Sequence, residues 1–424
     1  MSTTGWHTTN GGTLRVISSL YSGVSGLRSH QTELDVTGNN LANINTNGFK
    51  ATKVSFSDIL SRTIDYGRPP SGSRGGVNPK QIGSGVQVAA LRVDYSQGTI
   101  QNTGRDADVA IDGTGFFILS DGTKQFLTRD GSFALDSEGY LVSSGTGLRV
   151  VGWQTEETPG TAGTGPAPSS GIKIPIGSEL MAKATSKVRL SGNLSAVSAA
   201  GNKTSSRFRV YDSLGAGRDL EIIFTRQEGG SWTWEAREPG ADAPAGSGTI
   251  EFGPNGKPVS GASGTIQLSP SGASGAAQQT VELDLSMLTQ LAADTDIALE
   301  SQDGLPPAPM LGFKVDSDGT VVGLFGNGLS RAIGKLAIGY VPNPSGLRSV
   351  GHNMWAVAPN SGPLQVRDAS TVGARLIGGA LEASNVDMAE EFTRMIIAQR
   401  AFQASARIIT TSDEVLQELM QIKR

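Results

Sequence analysis

Residues 387–420 read DMAEEFTRMIIAQRAFQASARIITTSDEVLQELM, and this stretch decides the architecture. Apolar residues recur along it at alternating intervals of four and three positions, which predicts an amphipathic helix. Asp387, followed three residues later by Glu390, resembles a capping box and predicts where this helix begins. The expected assembly positions on the C-terminal helix are Met388, Phe392, Met395, Phe402, Ala406, Ile409, Leu416 and Met420.

A second stripe with the same spacing lies near the other end of the chain. Its expected assembly positions are Leu20, Val24, Leu27, Leu34 and Leu41. The same segment contains Gly23 and Gly26, and each glycine costs a helix about 1 kcal/mol relative to alanine. We therefore expect the two terminal segments to be largely unfolded in the monomer, and to pair as a coiled coil and pack on other copies during assembly.

The region between the two helices is predicted to be β. Turn dipeptides such as Asn47-Gly48 and Asp130-Gly131 separate short apolar runs. Two hairpin-like stretches, Asp136–Val142 and Asp316–Val322, echo one another on either side of the central region. This placement predicts a domain built from both flanks, with a second domain inserted between them. Trp232 and Trp234 alternate with polar residues, which is typical of a half-buried strand whose tryptophans pack in a core.

The predicted fold class is mainly β with terminal α-helices, in discontinuous nested domains. We expect 1–17 to be a disordered N-terminal extension, unless translation starts later, near Leu14 or Val16. The other predicted parts are a helical (coiled-coil) domain, 18–60 with 375–424; a joint segment, 61–83; a β-rich middle domain, 84–152 with 308–374; and an inserted, barrel-like or sandwich-like β domain, 153–307.

Composition excludes several kinds of chemistry. The chain has 35 basic and 39 acidic residues, a net charge of −4, which argues against a duplex-DNA binder. It contains no cysteine, which excludes thiolate metal sites and cysteine nucleophiles. It contains only three histidines, which argues against a histidine-based catalytic triad. No apolar run reaches the length of a membrane span or a secretory signal. We expect no catalytic, cofactor-binding or metal-binding residues.

Several blocks of sequence resemble one family, the axial proteins of the bacterial flagellum, which comprise rod, hook and hook-associated proteins. The blocks, in the family's order, are Ser19–Leu27, Asp35–Lys50, Gly98–Arg105, Asp108–Phe117, Gly379–Asp387 and Ala398–Ile409. The family-motif residues that they contain are Asn39, Asn40, Asn43, Gly48, Phe49, Gly113, Gly115, Phe116 and Phe117.

The resemblance implies a structural, non-enzymatic subunit. The predicted insert favours the hook members of the family, which assemble into a curved helical tube that transmits torque from rod to filament as a universal joint. The alternative is a distal rod protein of the flagellar basal body. A secreted β-rich adhesin, from a different class, would explain the middle of the chain and leave the paired terminal stripes unexplained.

The resemblance also implies a location and partners. It implies export through the flagellar type III apparatus without a cleaved signal peptide, to the extracellular part of the flagellum at the basal body. The implied partners are other copies of the chain, the distal rod protein, the hook–filament junction protein, the hook cap, the hook-length control protein and the export apparatus. It implies neither nucleic-acid binding nor membrane insertion.

Overall fold

The computed structural model describes residues 10–72, 74–155, 171–240, 243–269 and 276–422. In this part the chain is mainly β, with a long α-helix at either end. It divides into two compact units: unit 1 takes its residues from 1–173, 314–321 and 333–424, and unit 2 from 174–313 and 322–332. We expected the insert at 153–307, whereas unit 2 begins at Ile174 and includes a second, separate piece.

The N-terminal helix α1 spans Asn10–Ala42. Residues 10–17, which we expected to be part of a disordered extension, are therefore helical, and no proline interrupts them. Residues 1–9 of that extension lie outside the described part of the chain. The helix ends where Asn43 donates its backbone and side-chain N–H groups to the Asn39 carbonyl.

The C-terminal helix α3 spans Met388–Ile422 and begins directly after Asp387, as the sequence predicted. Asp387 Oδ1 accepts hydrogen bonds from the backbone N–H groups of Ala389, at 2.8 Å, and Glu390, at 3.1 Å. The carboxylate thus satisfies two of the donors that a helix start leaves unpaired. No helix among the described residues is both long enough and apolar enough to cross a membrane.

The strands of the described chain follow α1. The first twelve are β1 Thr52–Asp58, β2 Ser61–Asp65, β3 Lys80–Gly83, β4 Val86–Val93, β5 Ile100–Asn102, β6 Val109–Asp112, β7 Phe116–Ser120, β8 Gln125–Thr128, β9 Phe133–Leu135, β10 Leu141–Ser143, β11 Arg149–Val150 and β12 Gly152–Gln154. The next ten, in unit 2, are β13 Leu180–Lys183, β14 Lys187–Asn193, β15 Lys203–Tyr211, β16 Gly217–Arg226, β17 Trp232–Arg237, β18 Gly246–Phe252, β19 Pro258–Ser260, β20 Ser263–Leu268, β21 Gln279–Thr289 and β22 Asp296–Gln302.

Three further strands contain residues of both units: β23 Leu305–Val315, β24 Thr320–Phe325 and β25 Ser330–Leu336. The chain then returns to unit 1 through β26 Ile338–Tyr340, a 3₁₀ turn Pro344–Gly346, β27 Arg348–Gly351, β28 Met354–Ala356, β29 Gln365–Arg367, α2 Ala369–Val372, β30 Arg375–Gly378 and β31 Ala380–Glu382.

Unit 1 contains a large antiparallel sheet with the order β27-β28-β8-β7-β11-β10-β9, and β26 joins it beside β7. Four two-stranded pairs accompany it: β1–β4, β2–β3, β6–β30 and β5–β31. The last two pairs each join an early strand to one that lies just before α3. Unit 1 is therefore closed by residues from both ends of the chain.

Unit 2 contains two sheets around one core, together with β13 and parts of β23, β24 and β25. The strand orders of the two sheets are β15-β16-β17-β18-β19 and β20-β21-β14-β22. Trp232 and Trp234 are 0% and 2% exposed and lie in the core, as predicted, with apolar side chains from both sheets.

The tips of the two echoing hairpins form the same tight turn, since Gly139 and Gly319 donate their backbone N–H groups to the Asp136 and Asp316 carbonyls.

Candidate functional site

The predicted stripe on α1 lies at the edge of its buried face. Leu20, Leu27, Leu34 and Leu41 are half-buried, and Val24 is exposed. The fully buried positions between residues 19 and 42 are instead small or polar: Gly23, Gly26, Ser29, Thr37 and Asn40. Sequence reasoning placed the stripe in the right helix but one position away from its centre.

On α3, too, the predicted stripe lies beside the buried positions rather than on them. Met395, Phe402, Ala406, Ile409 and Leu416 are half-buried, whereas Met388, Phe392 and Met420 are exposed. The buried residues of this helix recur every seven positions and are Glu391, Ala398, Ser405 and Ser412. This seven-residue repeat of small and polar residues could have identified the buried face of α3 from the sequence. A pattern defined by large apolar residues does not include these positions.

Small residues let α1 and α3 approach each other closely. Ser19 Oγ and Ser412 Oγ are 3.0 Å apart. A Cβ atom added to Gly26 would lie 2.9 Å from Ser405 Oγ, and one added to Gly23 would lie 3.0 Å from Ile409. Each terminal segment thus has a helical partner within one chain, which differs from our expectation that both are unfolded in the monomer.

Large apolar side chains remain exposed beside this contact. Ile397, Ile408 and Val415 share one flank of α3 because they fall at nearly the same angle around the helix. Met388 and Phe392 lie on the opposite flank. Soluble proteins rarely leave such large apolar surface uncovered unless another molecule binds there. Both flanks of α3 are therefore candidate contact surfaces.

The asparagine motif at the C-terminal end of α1 fixes the direction in which the chain leaves the helix. The side chain of Asn40 accepts a hydrogen bond from the Thr52 N–H, at 3.0 Å, and donates one to the Thr52 carbonyl, at 2.8 Å. Asn43 donates to Asn39 Oδ1 at 3.2 Å, beside the bonds that end the helix. These side chains hold β1 against the end of α1.

Gly48 continues this junction toward the C-terminal segment. It has a φ of +67° and donates its N–H to the Glu382 carbonyl at 2.8 Å. A Cβ atom there would lie 2.6 Å from the backbone of Arg129, so only glycine fits. The half-buried Phe49 follows it directly.

A buried charge cluster lies at the same junction. Lys50 Nζ is 2.6 Å from Glu382 Oε1, and Arg129 Nη1 is 3.2 Å from Glu382 Oε2. The side chains of Lys50, Glu382 and Arg129 are 1%, 0% and 5% exposed. Burial lowers the pKa of both Lys50 and Arg129, while the Glu382 carboxylate opposes this effect. One carboxylate therefore holds two cations out of water and joins three distant segments.

The second group of motif residues belongs to the sheet next to this cluster. Gly113 has a φ of +111°, and its carbonyl accepts a 2.7 Å hydrogen bond from Arg129 Nη2. Gly115 has a φ of +121°, and a Cβ atom there would meet Ile338 at 2.5 Å. Phe116 packs edge-on against Trp355, and Phe117 against Phe133. These four residues build the core rather than an exposed site.

In the described ranges, no group of three His, Asp or Glu side chains is close enough together to hold a metal ion. One cleft, of about 530 Å³, lies among α1, β1, β4 and α3. Its charged lining includes the Lys53–Asp94 ion pair, at 2.8 Å.

Comparison with known proteins gives a consistent picture. Four family models match: Flagella basal body rod protein at 20–50, Flagellar hook protein FlgE/F/G D1 domain at 110–196, Flagellar basal body protein FlaE D2 domain at 182–305, and Flagellar basal body rod FlgEFG protein C-terminal at 377–422. The flagellar hook protein FlgE of Treponema pallidum is 35% identical over 470 residues, covering 96% of this chain and 100% of its own.

Two further relatives agree with these matches. FlgE of Borreliella burgdorferi is 36% identical, with coverage of 96% of this chain and 100% of its own. FlgE of Salmonella typhimurium is 34% identical, with coverage of 94% and 98%. The chain belongs to the flagellar hook protein family. The two terminal family models match residues 20–50 and 377–422 of this hook-family chain. The ion pair between Lys50 and Glu382 joins these two segments.

The charge cluster was not predicted from the sequence. Lys50 and Glu382 are 332 positions apart, and neither has a local pattern that marks it as buried. Both lie within blocks that carried the family resemblance. A buried role for these charged residues could have been suspected only from that position.

Proposed function

We propose that the chain is a structural subunit of the bacterial flagellar hook, which self-assembles into a curved helical tube and transmits torque from rod to filament. Membership of the hook family, with nearly full coverage of relatives, supports the class of protein. The observation that carries self-assembly is the exposed apolar surface on both flanks of α3. A helix that already has one partner in its own chain needs no second apolar face unless other subunits cover it.

In this proposal the terminal helices form a coiled-coil inner domain that lines a central channel. The small, seven-residue repeat on α3 supports close pairing with α1, and the exposed flanks would then contact neighbouring helix pairs. Unit 1 outside the helices would form the middle domain, and unit 2 the inserted outer domain. The assembly positions are those predicted on the two stripes, together with Ile397, Ile408 and Val415.

The partners and the location follow from the same proposal. The subunit would contact the distal rod protein at one end of the tube and the hook–filament junction protein at the other, under the hook cap during growth. The hook-length control protein and the type III export apparatus complete the set. Export would deliver the chain, without a cleaved signal peptide, to the extracellular hook at the basal body.

The distal rod protein of the basal body is the second candidate. Two of the matching family models carry the words basal body rod in their descriptions, and they match the two terminal segments. The model that matches 182–305 is described as a basal body protein D2 domain, and this region forms most of unit 2. The adhesin alternative has no comparable support.

Gene deletion followed by electron microscopy of purified basal bodies tests the proposal. We expect a complete rod with no hook and no filament, and complementation with the full chain should restore both. A shortened rod would move the protein to the rod. Normal flagella in the deletion strain, without a second hook gene, would overturn the assignment to the flagellar axis.

A further inference from the structure

The segment between β1 and β4 forms a ribbon with two different halves. In the proximal half, β1 pairs with β4 and lies on α1, where the Val86 N–H and carbonyl bond the hydroxyls of Ser25 and Ser29, each at 3.3 Å. The distal half, residues 59–83, contains β2 and β3 and is named the distal ribbon here. Among the described residues, the backbone hydrogen bonds of the distal ribbon stay within it or reach Ser84 and Gly85 at its base.

The distal ribbon exposes large apolar side chains on both of its arms. The exposed members are Ile59 47%, Leu60 68%, Ile64 49%, Tyr66 79%, Val77 52% and Ile82 46%. A two-stranded ribbon is marginally stable in water when nothing packs against it. An extended segment that holds its shape and exposes six large apolar residues is therefore built to be covered by another molecule.

The ribbon is also the basic part of an acidic chain. It contains Arg62, Arg68, Arg74 and Lys80 against a single acidic residue, Asp65, which leaves 31 basic and 38 acidic residues in the rest of the chain. Within the ranges that the structure describes, none of these four cations forms an ion pair. A copy of the same chain is thus a partner of opposite charge.

The C-terminal third of α3 offers the matching surface. Residues 408–422 contain Asp413, Glu414 and Glu418, all exposed, and no basic residue. Around the helix, Ile408, Glu414, Val415 and Glu418 lie within about 120° of one another, whereas Asp413 and Met420 lie on the other side. The negative end of the helix dipole is close to this face. This end of α3 is level with Ser19 of α1, and β1 runs along α1 in that direction, from Asn40 toward Ser25.

We propose that the distal ribbon binds the C-terminal third of α3 of a second copy, with its arginines and lysine facing Glu414 and Glu418 and its apolar residues covering Ile408 and Val415. This contact rests on the proposed self-assembly and adds to it a specific pair of surfaces. The contact is heterologous, because each copy presents its ribbon to one neighbour and its helix to another. It therefore propagates along an assembly rather than closing a dimer.

Charge reversal of the full-length protein tests this contact. A ribbon variant, R62E/K80E, and a helix variant, E414K/E418K, each place like charges in the proposed contact. We expect each variant to raise the critical concentration for polymerisation roughly tenfold, since each removes two ion pairs of modest strength. Sedimentation and negative-stain microscopy measure polymer, and circular dichroism checks the fold. R348E, at an exposed site outside both surfaces, is the matched control and should polymerise like wild type.

Combining both sets of substitutions in one chain restores opposite charges, so this variant should polymerise again. Mixing the two single-surface variants should also yield polymer, because each supplies the surface that the other requires. If the ribbon and helix variants polymerise like wild type, or if neither the combined chain nor the mixture recovers, the contact is wrong. Failure of the wild-type chain to polymerise would instead count against the proposed function.

Discussion

In unit 2 the largest side chains, Trp232 and Trp234, are 0% and 2% exposed, whereas on α3 the side chains of Phe392 and Ile397 are 45% and 58% exposed. Unit 2 buries these tryptophans in its own core, while α3 buries alanine, serine and glutamate and exposes Ile396, Ile397 and Ile408. The difference teaches that one region is built for stability within the chain and the other for contact between chains. Substitutions in the two regions should accordingly affect different measurements.

The largest effect is expected at the cluster that joins α3 to the rest of unit 1. Glu382→Gln keeps the shape of the side chain but leaves the charges of Lys50 and Arg129 buried without their carboxylate. We expect unit 1 to lose about 3–5 kcal/mol of unfolding free energy, measured by urea titration with circular dichroism. Glu138→Gln, in the exposed pair with Arg149, is the control and should cost less than about 1 kcal/mol. A loss of that small size at Glu382 would contradict the role of the cluster.

The same substitution made in both regions sharpens the comparison. Ile222→Ala in the core of unit 2, where the side chain is 0% exposed, should cost about 2–5 kcal/mol because it creates a cavity. Ile408→Ala on α3, where the side chain is 46% exposed, should change stability by no more than about 0.5 kcal/mol.

Polymerisation should respond in the opposite sense to these two changes. Ile408→Ala should raise the critical concentration measured by sedimentation, while the folded fraction of Ile222→Ala should polymerise like wild type. An Ile408→Ala chain that loses stability and still polymerises normally would break the distinction between the two regions.

Two glycines of α1 provide a smaller, matched test of close helix packing. Gly38→Ala meets nothing within 4 Å and should raise unfolding free energy by up to about 1 kcal/mol through helix propensity alone. At Gly26 the added methyl would lie 2.9 Å from Ser405 Oγ, so the same gain is offset by displacement of α3. Thermal unfolding should rank Gly38→Ala above wild type and Gly26→Ala clearly below Gly38→Ala. Equal stabilisation by both would show that α1 and α3 do not constrain each other at this point.

The smallest effect concerns pH. The Lys53 ammonium donates to Asp94 and, with hydrogen bonds from Ser96, lowers the pKa of Asp94 from 3.8 to about 2. Because the folded pKa is below the unfolded one, this group stabilises the protein above about pH 4 and loses that effect as the pH falls through about 2. Lys53→Met should therefore reduce the loss of stability between pH 4 and pH 2, by less than about 1 kcal/mol since both side chains are partly exposed. Urea titrations across this range should show no such change for Lys203→Met, which removes an exposed lysine without an ion pair.

Sequence periodicity located both terminal helices and the start of α3, because a capping carboxylate and a repeat of three and four positions act locally. It placed the centre of the stripe on Leu20 and Leu27, whereas Gly23 and Gly26 are buried. The reason is that the pattern was defined by large residues, whereas the contact between α1 and α3 is made by small ones. The tryptophans of unit 2 were predicted correctly because their only possible cover is the sheet opposite.

Long-range polar contacts could not be predicted in the same way. The carboxylate of Glu382 is buried only because β31 pairs with β5, which brings it next to Lys50 and Arg129. The distal ribbon was expected only as a joint segment at 61–83, since its short strands alternate weakly. Both features depend on topology rather than on local sequence.

The pairing of β5 with β31 and of β6 with β30 has a consequence for the order of folding. Two strands from the first third of the chain remain without partners until residues 375–382 are available. A chain that emerges from its N-terminal end would thus complete unit 1 last, after the whole of unit 2 has had time to form. The last fifty residues act as the closing step, so a chain that stops before them would leave open strand edges instead of a finished domain.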